Sequence, residues 1–284
     1  MNKNNILYAF LFVVLLVIGL VISNVLRLNR EVKDVKVEVV YNHDRTIPKS
    51  NSKLAPDLEL MPPGDTLVTD STLRNLILSG YPSILNEKLK EVDLKKVEHI
   101  ASRNPYVYSA EASLSIRGEV ELHIEQRAPV LRLFTGQNEV YLTRDGRCIP
   151  TNPACEADVL VGSGILKEKI KLNDSINLKK LEADTIKRNY SIVRMWKLAC
   201  FLYDNPIYGT LFDQIDMLGD GDLQLVPKIG NHVVLLGGID NLETKFADLL
   251  VFYRNGLSKV GWDTYKTISL KYKGQIICNK REKK

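Results

Sequence analysis

The chain has 284 residues with 45% hydrophobic and 26% charged side chains, an ordinary globular balance that leaves room for two modest domains plus an anchor. Its net charge of +5 gathers near the ends, at Arg27, Arg30, Lys33 and Lys36 and again at Lys280, Arg281, Lys283 and Lys284. A nucleic-acid reader would instead need a basic face interleaved with aromatics, and none is present.

An unbroken apolar run from Ile6 to Ile22, extended through Ser23–Leu26, gives about 20 residues, enough to span a bilayer core. A cleavable signal peptide would have a shorter core followed by a small-x-small site, and Val21–Val25 offers none. The expectation is therefore a short tail at 1–5 and a retained anchor at 6–26. Flanking charge argues for a cytoplasmic bulk, since Lys3 faces four basic residues on the far side. Long domains cross largely regardless of that bias.

Val35, Val37 and Val39 alternate with Lys36 and Glu38 as a first strand. Residues 42–65, with Pro48, Pro56, Pro62 and Pro63, read as a surface loop insertion. Thr69–Ser71 caps a helix with Leu73, Leu76 and Ile77 inward, ended by Gly80 and Pro82, and Asp93 caps a second one closed by Asn104–Pro105. A hairpin follows: Ala110, Ala112, Leu114 and Ile116 alternate, Arg117–Gly118 turns, and Val120, Leu122 and Ile124 return. The fold class is α+β, with one sheet face covered by helices.

A second domain is expected from about residue 128. Strands are placed at Val130–Phe134, Val140–Leu142, Arg147–Ile149 and Val159–Val161. One helix runs from Glu182 to Tyr203, with Ile186, Tyr190, Val193, Trp196 and Cys200 on its inner face. Strands at Leu223–Val226 and Val233–Leu236 precede a second helix that opens at Asp240 with Glu243 as a capping-box partner. Ile268 to Ile277 closes the domain as one strand, broken only at Gly274, before a basic tail at 280–284.

Sites for chemistry are not legible. Gly162–Ser163–Gly164 lacks the outer glycines of a nucleophile elbow and reads as a turn. The histidines His43, His99, His123 and His232 lack metal spacing, and Gly219–Asp222 lacks the later ligands of a calcium loop. No catalytic residue, metal, cofactor or small-molecule substrate is expected. Cys148 and Cys155 either bridge a loop in an oxidising compartment or pack as separate thiols.

These segments together resemble the FtsQ/DivIB family. The strand–helix–helix–strand–strand unit behind a single anchor is similar to a POTRA domain. Asn104–Val107 resembles the family's aromatic-Val turn, Gln126–Val130 its Arg-x-Pro-Val junction, and Tyr141–Ile149 the opening of its β-domain. Gly230–Gly237 resembles its Gly-led strand, and Ile268–Tyr272 its closing strand, with Ser269 and Lys271 where Asp and Arg are usual. The tail and loop style resembles the Bacteroidetes branch. The resemblance implies a POTRA domain at 31–127, a mostly antiparallel β-domain with two helices at 128–279, and a non-enzymatic divisome scaffold. It also implies a single-pass inner-membrane protein with its N-terminus cytoplasmic and its bulk periplasmic, binding FtsB/FtsL-type partners and other division proteins.

A scaffold needs an adhesive surface, and a closing strand at a sheet edge offers unpaired N–H and C=O groups for strand addition. Ile268, Leu270, Tyr272, Gly274 and Ile276 are the expected partner-binding positions, with Ile277 an alternative to Ile276 beyond the Gly274 irregularity. Tyr272 leads, as the match to a family contact position. Rival readings are an envelope-assembly or secretion accessory protein and, more remotely, a membrane-anchored periplasmic hydrolase.

Overall fold

The computed structural model describes residues 3–41, 66–136, 139–153, 156–168, 172–173 and 176–282. The loop expected at 42–65 lies outside them. The chain divides into two compact units, one comprising Met1–Tyr41 and Val68–Gln126, the other built on Arg127–Lys284.

The first unit opens with α1 (Lys3–Leu28), whose Phe10–Leu28 stretch has a mean hydropathy of 2.6 and the length to cross a membrane. Then come β1 (Val35–Tyr41), α2 (Asp70–Gly80), α3 (Leu94–Ser102), β2 (Val107–Leu114) and β3 (Val120–Gln126). The sheet order is β1-β3-β2, with β1 parallel and β2 antiparallel to β3. Both helices start where a side-chain oxygen meets an orphan N–H: Thr69 accepts from Thr72 at 3.3 Å and Asp93 from Lys96 at 3.0 Å. α2 lies against β1 and α3 against β2, so Leu73, Ile77, Val97 and Ala101 bury onto Val35, Val107, Val120 and Leu122. Ile116 departs from its expected place in the alternation. β2 stops at Leu114, and Ile116 stands 82% exposed in the turn.

The second unit adds β4 (Pro129–Phe134), β5 (Glu139–Thr143), β6 (Cys148–Pro150), β7 (Leu160–Gly164), α4 (Leu178–Ala183), α5 (Ser191–Asp204), α6 (Pro206–Gly209), β8 (Phe212–Met217), β9 (Leu223–Pro227), β10 (Val233–Gly237), α7 (Leu242–Phe252), α8 (Ser258–Val260), β11 (Tyr265–Ser269) and β12 (Ile277–Lys280). Nine strands form one sheet in the order β12-β11-β10-β9-β8-β7-β4-β5-β6, with parallel contacts only at β10/β11, β8/β7 and β7/β4. Its core joins Leu131, Leu133, Trp196, Leu198, Phe212 and Ile215 to Phe246 and Leu249 of α7. The Trp196 indole donates to the Thr143 carbonyl at 2.9 Å, satisfying the polar edge of a buried ring.

Several expectations are corrected. Helix 182–203 is three pieces, because Asp184 turns its carboxylate onto the Ile186 and Lys187 N–H groups (2.9 and 3.0 Å) and holds a tight turn there. Ile186 is accordingly 75% exposed rather than inward. α7 starts at Asn241 in the left-handed conformation, φ 54°, with no side-chain cap, so no capping box forms with Glu243. Gly162–Gly164 is strand rather than turn. A Cβ on Gly162 would meet Leu131 and Met195 at 3.0–3.1 Å, which is why the strand carries glycine there.

Candidate partner-docking edge

The C-terminal segment is a hairpin, not a single strand. β11 runs Tyr265–Ser269, the chain turns through Lys271–Gln275, and β12 returns antiparallel to it. Gly274 makes the reversal at φ +68°, a backbone state that suits glycine. The residue read as a local irregularity is thus the pivot of the turn.

This re-sorts the five expected contact positions. Ile268 faces Val234 of β10 on one side and Cys278 of β12 on the other, and it is 0% exposed. Leu270 is 3% exposed, its N–H donated to the Leu235 carbonyl at 2.8 Å. Both are core, since β11 has neighbours on each side and offers no free backbone edge. Ile276 is half-buried against the same core. Tyr272 and Gly274 are exposed in the turn, Tyr272 at 57%. Among the described residues the open border is β12, whose place in the sequence is marked only by the Gly274–Gln275 pair with renewed apolar residues behind it.

The edge is fastened at its far end. The Arg281 N–H donates to the Thr264 carbonyl at 3.0 Å, and its guanidinium donates to the Asn231 carbonyl at 2.5 Å. The Asn231 amide in turn reaches Asp263 at 2.8 Å. Beneath lies His232, 1% exposed, with Nε2 2.8 Å from the Tyr253 hydroxyl and its ring stacked near Trp262. Burial holds the imidazole below its ordinary range, and the Arg281 charge adds to this, while the Trp262 backbone and Asp263 pull the other way. Burial likewise raises the Tyr253 phenol. At the turn, Lys271 pairs with Asp222, which raises the lysine, and Lys271 lies against Gly237.

The sheet's other border is β6. Pro150 has no N–H to give, and Arg147 just ahead of the strand already bridges Asn177. An open groove of about 470 Å³ beside it is lined by Arg147, Asn177, Lys180, Lys187 and Tyr190.

Other candidates resolve into structure. Ser163 donates to Asp216 at 2.5 Å within the sheet. Asp220 accepts the Asp222 N–H at 3.0 Å in a turn. His123 pairs with Glu38 at 3.1 Å on the exposed sheet face of the first unit. Among the described residues no group of three or more His, Cys, Asp or Glu side chains is placed to hold a metal. Cys148 is buried, while Cys155 lies outside the described residues. Burial pushes the Cys200 thiol up to about 12.

These features define a class: a protein with one N-terminal apolar helix fit for membrane anchoring and a mixed α+β body whose large sheet ends in a hairpin with an open outer strand. The profile of the family described as FtsQ/DivIB, C-terminal related, matches residues 128–279. That is more than half of the 284 residues, and the chain belongs to this family. No curated protein matches the chain. Family membership supports a part in cell division and suggests a scaffold role.

Proposed function

We propose that the chain is a non-enzymatic divisome scaffold that captures FtsB/FtsL-type partners by strand addition at β12. The supporting observation is the pairing of the sheet: among the described residues β12 has a neighbour on one side only, and it has no proline among Ile277–Lys280. Arg281 turns its N–H inward to Thr264, so strand alternation turns the Lys280 N–H outward. A partner backbone aligned there completes the ladder, and Tyr272 with Ile277, 44% exposed, supplies side-chain contact.

In this reading α1 is a single-pass inner-membrane anchor with the N-terminus cytoplasmic and both units periplasmic. The first unit is a POTRA domain spanning about 31–127, and the β-domain spans 128–279. Depletion of the protein yields filamentous cells without septa; normal septation with failed secretion would instead favour the envelope-assembly reading. Capture of division proteins by the full-length chain falls about ten-fold in Lys280→Pro, which deletes one outward donor and obstructs its neighbour. Undiminished capture by a folded Lys280→Pro chain overturns the edge mechanism.

A further inference from the structure

The first unit is joined to α1 by hydrogen bonds rather than by a free linker. The apolar stretch of α1 ends at Leu28, whose carbonyl accepts the Lys90 N–H at 3.1 Å. The Arg30 carbonyl accepts the Leu89 N–H at 2.9 Å, and the Val32 N–H donates to the Glu87 carbonyl at 3.0 Å. Val32 and Leu89 are both buried. A loop bonded to the last residue of a spanning helix sits where the hydrocarbon stops, at the depth of lipid headgroups.

The β2–β3 turn lies at this same end, because the Lys33 N–H donates to the Gly118 carbonyl at 2.9 Å. The resulting surface carries exposed Arg30, Lys33, Lys88, Lys90 and Arg117, with Arg27 half-buried at the helix end. Most of the opposing charge is engaged. Asp34 pairs with Arg74 at 2.7 Å, Glu119 with Lys36 at 2.9 Å, Glu91 lies 3.9 Å from Lys90, and Glu87 is held by the Tyr81 and Ser83 hydroxyls at 2.5 and 2.6 Å, leaving Glu31 exposed. Beside these cations stands Ile116, the most exposed large apolar side chain among the described residues at 82%.

We propose that this end of the first unit docks onto an anionic phospholipid surface, its cations on lipid phosphates and Ile116 in the interfacial layer. The proposal rests on α1 being a membrane anchor and is independent of β12. It gives the basic residues behind the span a use: they hold the unit against the bilayer, so their number reflects docking rather than orientation.

The test places the full-length chain in nanodiscs of phosphatidylcholine, alone or mixed with phosphatidylglycerol, and follows amide hydrogen exchange. Residues 88–90 and 115–118 exchange more slowly in the anionic discs. Lys33→Glu/Lys88→Glu/Lys90→Glu abolishes the difference, by about five-fold in docking per cation, and Ile116→Ser reduces it. Lys95→Glu/Arg103→Glu, which alters the α3 region by the same kind of change, leaves it intact. Lys88→Gln/Lys90→Gln substitutes for the reversal if that chain misfolds, and it halves the response or more. Equal exchange in both lipids, slowing that survives the charge reversal, or the same slowing from inorganic phosphate added to neutral discs overturns the proposal. Failure of the anchor reading is seen separately, as a chain that does not co-purify with discs.

Discussion

The two borders of the nine-stranded sheet start from the same physical liability and end differently. β6 and β12 are both short outer strands. At β6 the chain spends its outward hydrogen-bonding capacity: Pro150 lacks a donor, Asn177 bridges Arg147, and Lys180 and Lys187 stand beside the strand. Prolines and lysines are the usual means of keeping an edge from adding strands. At β12 one lysine, Lys280, closes the strand while Ile277–Asn279 carry neither device, and Arg281 fixes the strand in place without covering it. An edge left open while being held rigid is preorganised, so a partner strand does not have to order it on binding.

The largest effects separate residues that build the edge from those that present it. Ile268→Ala removes buried volume between two strands and lowers stability by about 2–5 kcal/mol, read by denaturant unfolding of the full-length chain. Tyr272→Ala leaves stability within about 0.5 kcal/mol, because the ring is 57% exposed, yet lowers partner capture about ten-fold. If Tyr272→Ala unfolds the chain as Ile268→Ala does, the separation fails. The converse change works on the guarded border. Pro150→Thr gives β6 an outward donor and produces concentration-dependent self-association by sedimentation, about ten-fold stronger than in the parent chain. A strictly monodisperse Pro150→Thr chain would mean that the Asn177 bridge and the cations suffice alone.

How much of this was legible in the sequence follows the same division. In the first unit period and caps agree, so Leu73 and Ile77, placed inward, and the alternating Val35, Val120 and Leu122 all lie in the core. Only Ile116 misled, because the strand period ran on by one step after pairing had ceased. In the second unit the signals compete. β8 went unseen, since Asp213, Gln214 and Asp216 break its alternation while Phe212, Ile215 and Met217 are the buried positions. Ile186 kept helical spacing with Tyr190 but lies in a turn that Asp184 imposes. The closing hairpin was read as one strand because apolar residues occur on both sides of Gly274, and a glycine in a strand and a glycine in a turn look alike without its φ. The expected contact positions therefore divide between the core (Ile268, Leu270) and the turn (Tyr272, Gly274), a matter of pairing partners that a single sequence does not encode locally.

The smallest effect concerns the fastening under β12. His232 is buried and kept neutral, first by desolvation and then by the Arg281 charge, so its folded-state value is depressed. The unfolded chain takes up a proton at about pH 6.5, where the folded chain resists it. The stability belonging to the neutral ring is therefore complete above that pH and declines as the pH falls below it, by at most about 1.4 kcal/mol per pH unit until the folded-state value is reached. Tyr253, raised by burial, acts at the other end and loses its contribution as the pH climbs past about 10. Because His232, Asn231 and Arg281 share one end of the hairpin, acid opens β12 before it opens β6. Amide exchange at pH 5 rises first at residues 277–281, and His232→Gln removes that dependence. Equal acceleration at Cys148 and Ile149 would mean that the two borders open as a unit, and that the histidine protects the whole sheet rather than its open edge.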